Sequence, residues 1–157
     1  VYKRQSINEI SPFIKSINSV PKSGLHNPFK NPERYQMLGD VCFRTAQTLH
    51  KNNIQTKIID EIISVTGKLD TQAFAELAVT RKFLENFSGD QVRFLAKGFN
   101  TPGDHFGQLS NGFRWPYGSV AIISPFNFPL EIPLLQLMGS LFMGNKPLLK
   151  VVPEYLW

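Results

Sequence analysis

The stretch from Gly118 to Lys150 constrains the fold more than any other part of the chain. Val120 to Ser124 is short, apolar and β-branched, which predicts a strand buried on both faces of a parallel sheet. A Pro-bounded loop, Ser124-Pro125-Phe126-Asn127-Phe128-Pro129, follows it. Leu130 to Met143 then reads as an apolar helix. Pro133 fits there because the first helical turn has backbone donors without intrahelical partners. Gly144 suits a left-handed helix stop, and Pro147 to Val151 supplies a second strand. Two such strands joined by a helix form a right-handed βαβ unit. Open sheets of this kind bind ligands beyond the carboxyl ends of their strands, where Asn127 and Lys150 stand.

Upstream, the pattern is helical. Residues 1 to 30, rich in Ser, Asn and Pro, read as an irregular arm. Asn31-Pro32-Glu33 is a helix start with Asn as N-cap and Pro at the first position. Tyr35, Leu38, Val41 or Cys42, Ala46 and Leu49 recur at helical spacing, predicting a helix over 32–50. Ile54, Ile58, Ile59, Ile62 and Ile63 mark a second helix, ended near Gly67. Asp70 caps a third, with Phe74, Leu77, Leu84 and Phe87 as its apolar stripe. Ser88-Gly89-Asp90 interrupts it, and Gln91 to Lys97 continue as a short helix, so that helices fill 32–97. Asn100-Thr101-Pro102-Gly103-Asp104 is a turn, and Asn111-Gly112 favours a type I′ turn, which predicts a β-hairpin over 105–116.

A chain of 157 residues with 42% apolar content can bury one ordinary core. The single cysteine, Cys42, excludes an intramolecular disulfide and reads as a buried structural thiol. Lys and Arg outnumber Asp and Glu to give a net charge of +5, but the basic residues are scattered and the aromatics fall at core positions. Such a charge could attract nucleic acid, but a solvated basic surface is the preferred reading and no nucleic-acid partner is expected. No apolar run reaches the roughly eighteen residues that span a bilayer, so no membrane partner is expected. His26, His50 and His105 lie far apart and form no metal-site spacing, and no metal is expected. The chain starts Val1-Tyr2-Lys3-Arg4-Gln5, with neither an initiator Met nor a secretory segment, so targeting is not readable.

Ile123-Ser124-Pro125-Phe126-Asn127-Phe128-Pro129-Leu130, with Gly144-Asn145-Lys146-Pro147-Leu148-Leu149-Lys150 after it, closely resembles the first cofactor-binding segment of the NAD(P)-dependent aldehyde dehydrogenases. Three upstream blocks resemble the branch that oxidises glutamate γ-semialdehyde, the open form of pyrroline-5-carboxylate, in plants and protists. They are Asn31-Pro32-Glu33-Arg34-Tyr35, Lys82 to Leu95, and Asn111-Gly112-Phe113-Arg114-Trp115-Pro116-Tyr117-Gly118. The resemblance covers residues 20 to 152. It implies an α/β fold: N-terminal helices, a β-hairpin and the first βαβ unit, over 119–152, of an incomplete Rossmann-like cofactor domain. Residues 31–157 would then be the N-terminal portion of an aldehyde dehydrogenase domain, part of a longer enzyme of proline breakdown in the mitochondrial matrix, or otherwise the cytoplasm. The segment itself is expected to be inactive.

The same resemblance implies the site. A thiolate outside this sequence attacks an aldehyde, and the Asn127 amide, a neutral donor that does not titrate, hydrogen-bonds the oxyanion. Read without the family, Asn127 would support a turn through its own side chain. Ser124, Pro125 and Phe126 are implied as cofactor contacts, partly through backbone; the alternative for each is plain packing. Lys150 is implied as a donor to the adenosine ribose hydroxyls, its alternative being a solvated charge. The family's Glu three residues after this Lys is replaced by Pro153, so Glu154 is not assigned and NAD versus NADP stays open. No Gly-x-Gly-x-x-Gly follows the strand, as in the aldehyde dehydrogenase variant of the dinucleotide fold. Glu131 is read as a charge favoured by the helix dipole rather than as a catalyst. The hairpin at 105–116 is implied to make homo-oligomer contacts in the full-length protein. Two other readings compete: a noncatalytic basic α/β module binding nucleotides or nucleic acid, and a subunit-interaction fragment acting through the hairpin.

Overall fold

The computed structural model describes residues 6–21, 31, 33–89 and 97–151. Among them the chain order is α1 (Ile7–Asn18), α2 (Glu33–Leu49), α3 (Asn52–Thr66), α4 (Asp70–Asn86), β1 (Phe99–Pro102), β2 (Leu109–Gly112), β3 (Ser119–Ile123), α5 (Glu131–Phe142) and β4 (Lys146–Lys150). The expected α/β layout is present. Strands β3 and β4 pair in parallel, Ser119 opposite Lys146 through Ile123 opposite Lys150, with α5 as the crossover.

Helix α5 holds the two halves together. It is apolar nearly all round, as a helix covered on more than one side must be, and it touches α2 and α4 as well as β3 and β4. Its Met138 and Phe142 sink into a core formed with Tyr35, Leu38, Cys42, Ala46 and Leu49 of α2 and Leu77 and Leu84 of α4. Phe142 is fully buried and stacks on Phe87, ring centroids 5.2 Å apart. Gly144 ends the helix at φ 82°, a left-handed conformation that a β-carbon disfavours.

The α2 periodicity is reproduced, with Cys42 rather than Val41 inside. On α3, Ile62 is buried, Ile54, Ile58 and Ile59 pack on the core, and Gly67 closes the helix at φ 69°. Two readings of α4 need correction. Leu69, not Asp70, is its N-cap; Gln72 reaches back to accept from the Leu69 amide at 3.2 Å, and Asp70 lies in the first turn. Phe74 is 50% exposed, because the inward stripe is Ala73, Leu77, Thr80 and Leu84, one residue out of phase with it.

The irregular arm expected over residues 1 to 30 contains a helix, α1. Ser6 caps it: the hydroxyl accepts from the Glu9 amide at 3.3 Å, and the Glu9 carboxylate accepts from the Ser6 amide at 2.7 Å. This reciprocal box supplies an N-terminus in spite of Pro12 inside the helix. The C-terminal carbonyls of α1 then anchor it to the sheet, Ser16 accepting from Lys146 Nζ at 3.0 Å and Ile17 from the Ser119 hydroxyl at 2.7 Å.

The hairpin is present but shifted from 105–116. Strands β1 and β2 pair antiparallel from Phe99 opposite Gly112 to Pro102 opposite Leu109, so Asn111-Gly112 lies within a strand and the turn is at 103–108. Neither Asn111 nor Gly112 has the positive φ of a type I′ turn. Gly112 serves the strand instead: a β-carbon there would fall 2.1 Å from the Phe99 ring, which lies across it. The short helix expected over Gln91 to Lys97 falls on 91–96, outside the described residues, apart from Lys97, which is not helical. The expectation that β3 is buried on both faces also fails. Ile122 is buried while Ile123 is 74% exposed, since an apolar run of five does not distinguish burial on one face from burial on two.

Phe142→Ala is expected to lower the unfolding free energy of this chain by about 3–5 kcal/mol. Val79→Ala, on the exposed side of α4, should change it by less than about 0.5 kcal/mol. Denaturant midpoints at unchanged slope read both values.

Candidate functional site

The site is built where β3 and β4 end. Ser124 is buried, its amide donating to the Lys150 carbonyl at 3.2 Å and its hydroxyl lying 3.5 Å from the same oxygen. This bond carries the parallel ladder one residue past β3 and puts Ser124 beside Lys150. The chain then turns outward: Pro125, Phe126 and Asn127 are exposed, Phe126 by 60%. Asn127 makes no side-chain hydrogen bond among the described residues, so its amide is not consumed in bracing its own turn. The exposed Lys150 ammonium likewise has no carboxylate partner among the described residues. Ser124 and Lys150 are therefore brought together, while Pro125, Phe126 and Asn127 project beyond them.

What holds this loop comes from a residue not singled out in the sequence. The side chain of Glu76 on α4 is wholly buried, and its Oε1 accepts from the Leu130 amide at 2.9 Å and the Glu131 amide at 3.1 Å. These are the first free donors of α5, whose N-cap residue, Leu130, has no side-chain acceptor of its own. A carboxylate there also meets the positive end of the helix dipole. Glu76 Oε2 lies 2.6 Å from Lys68 Nζ, and that ammonium sits 3.8 Å from the centre of the Phe128 ring. The signal was present in the sequence, because Glu76 falls on the same helical face as Ala73 and Thr80, where a charge requires a partner.

Asn145 has a bracing role too. It is buried and its Oδ1 accepts from the Gly118 amide at 3.0 Å, while the Lys146 amide donates to the Gly118 carbonyl at 2.7 Å. These bonds fix the start of β3 against the start of β4. Glu131 lies in the first turn of α5, as the dipole reading requires.

Two cavities flank these elements. One, of about 340 Å³, lies between α1 and the sheet, lined by Ile10, Phe13, Ala121 to Ile123 and Leu148 to Val151. Of the predicted site residues it includes Lys150. The other, of about 310 Å³, runs between α3 and the end of the Asn127 loop, bounded by Ile58, Ile62, Val65, Pro129 and Leu130 with Lys57 and Glu61 at its walls.

The βαβ unit thus has no glycine-rich turn, carries an Asn-bearing loop after its first strand and ends its second strand on a Lys. The sequence profile of the aldehyde dehydrogenase family matches residues 32–155, and the chain belongs to that family. It is 59% identical over 143 residues to a probable aldehyde dehydrogenase of Linum usitatissimum, covering 91% of this chain and 26% of the relative. It is also 59% identical over 140 residues to Delta-1-pyrroline-5-carboxylate dehydrogenase 12A1, mitochondrial, of Arabidopsis thaliana, covering 89% and 25%. The chain thus spans about a quarter of the length of these curated relatives. Among solved structures, an NAD-dependent benzaldehyde dehydrogenase from Corynebacterium glutamicum superposes with a TM-score of 0.71 at 18% identity, over 97% of this chain and 31% of that one. Succinic semialdehyde dehydrogenase from Streptococcus pyogenes, in complex with NADP+, gives 0.70 at 17% identity, over the same shares. These two likenesses carry the fold.

Cys42 stands apart from the site. It is fully buried in α2, and burial pushes its thiol up from the ordinary 9.0 to about 11. A neutral, enclosed thiol is a poor nucleophile. In the native chain at pH 8 it is expected to resist thiol-reactive dyes and to react once the chain is unfolded. Because the folded thiol keeps its proton to about pH 11 while the unfolded one releases it from about 9, folding stability should fall as the pH rises through that window. Cys42→Ala should weaken that slope.

Proposed function

We propose that this chain is the N-terminal part of an NAD(P)-dependent aldehyde dehydrogenase that oxidises glutamate γ-semialdehyde to glutamate in the mitochondrial matrix. The observation that carries the reading is the Asn127 amide, exposed and without a partner among the described residues just past β3, on a loop tied down on both sides of it. Such an amide is a fixed neutral donor, suited to an oxyanion that forms when a thiolate attacks an aldehyde carbon. Cys42 is buried and unsuited to be that thiolate; the nucleophile belongs to another part of the full-length protein. The choice of aldehyde and of compartment rests on the likeness to the Arabidopsis enzyme.

The residues present fit a nicotinamide dinucleotide. Lys150 offers ammonium donors to ribose hydroxyls from a strand end, and Ser124, Pro125 and Phe126 border the same edge. No glycine from Ser124 to Leu130 forms a phosphate-cradling turn, so this segment would hold the cofactor through its ribose and ring rather than its pyrophosphate. When bound, that cofactor supplies the acceptor for the hydride leaving the substrate carbon. The exposed Phe106 and Leu109 of the hairpin support its use as a subunit contact in the full-length protein.

In the full-length protein, Asn127→Ala is expected to lower kcat about a hundredfold, or roughly 3 kcal/mol of transition-state stabilisation, with little change in cofactor affinity. Lys150→Ala should raise the cofactor Kd and leave turnover at saturating cofactor nearly intact, because the ribose is remote from the reacting carbon. Full turnover by Asn127→Ala, or unchanged cofactor binding by Lys150→Ala, would overturn the assignment of that residue. The 157-residue chain alone should show no turnover.

A further inference from the structure

Asn127 has no hydrogen-bonded partner of its own among the described residues, yet an oxyanion donor must be held to within a fraction of an ångström. The immediate neighbours of Asn127 on its C-terminal side are held by α4 and the segment before it. Glu76 Oε1 takes the amides of Leu130 and Glu131, three and four residues past Asn127. Glu76 Oε2 takes Lys68 Nζ, and the ammonium covers the ring of Phe128, the next residue. The chain of contacts runs from a wholly buried Glu76 side chain through a Lys68 side chain only 16% exposed to the loop itself. A buried charge with two backbone donors and one cation has its partners in fixed directions, and neither half can move without stranding the other.

Building on the role given to Asn127 above, we propose that Glu76 and Lys68 are positioning residues for that amide: the carboxylate fixes the start of α5, the ammonium fixes Phe128, and between them they set the path of the loop that presents Asn127. Neither residue touches the reacting atoms. Glu76→Gln keeps an acceptor but loses the charge that binds Lys68. Lys68→Met releases Phe128 and leaves Glu76 without its cation. Lys68→Arg keeps a cation that can both bind the carboxylate and lie on the ring.

The test is a double-mutant cycle in the full-length protein. Glu76→Gln and Lys68→Met are each expected to lower kcat about tenfold, with the cofactor Kd changed less than about twofold, and Lys68→Arg should recover most of the loss. In the Asn127→Ala background the same changes should have little further effect, because they act through the amide already removed. Equal losses in both backgrounds, or wild-type kcat for both Glu76→Gln and Lys68→Met, would overturn the proposal. If Glu76→Gln fails to fold, the Lys68→Met and Lys68→Arg pair decides. Failure of the oxyanion reading is told apart, since it appears as full turnover by Asn127→Ala alone.

Discussion

The structure depends on the burial of α5 between two layers. One side of this helix enters the core of α2 and α4 through Met138 and Phe142, and another lies on β3 and β4. Without it α2 and α4 would share little apolar surface with the parallel pair. Because α5 is also the crossover, the contact that stabilises the fold fixes where both strands end. Packing and site geometry are therefore one constraint, and the fully buried Phe142 ring is at its centre.

Glu76 is the polar counterpart of that packing. A carboxylate enclosed at the start of an apolar helix has no water to solvate it and is retained only with full compensation. Here two backbone donors and Lys68 provide it. Such a pair adds little net stability over well-packed apolar residues, but removing one partner costs about 3–5 kcal/mol. Its effect is to select one arrangement of the loop between β3 and α5. Ser124 does the same on the strand side by extending the ladder to Lys150.

Family membership follows from residues 32–155, a span that includes the βαβ unit. Strand, loop, helix and strand each need a particular residue pattern, and all four occur in order within Gly118 to Lys150. Among the described residues the side chains of Asn127 and Lys150 make no hydrogen bond, while Asn145 and Ser124 of the same motifs are used up in holding the frame. The motif thus mixes side chains that brace the frame with side chains that do not, and hydrogen bonding separates them.

The sequence by itself determined the elements whose signals are local. The periodicity of α2 and α3, the stop at Gly67, the apolar run of β3, the glycine after α5 and the parallel pairing all follow from spacing and backbone chemistry. The Ser6 and Glu9 box of α1 is a local signal too, though Pro12 and the polar composition of the segment oppose it. Tertiary structure decided the rest. Asn111-Gly112 became strand because Phe99 lies across the glycine. Phe74 faces solvent because the neighbouring helices meet α4 on the Ala73 and Leu77 side. Glu76 reaches the Asn127 loop across more than fifty residues of sequence, and no local pattern encodes that distance. Turn and helix propensities are properties of a few consecutive residues, whereas a buried charge finds its partners only after the chain has packed.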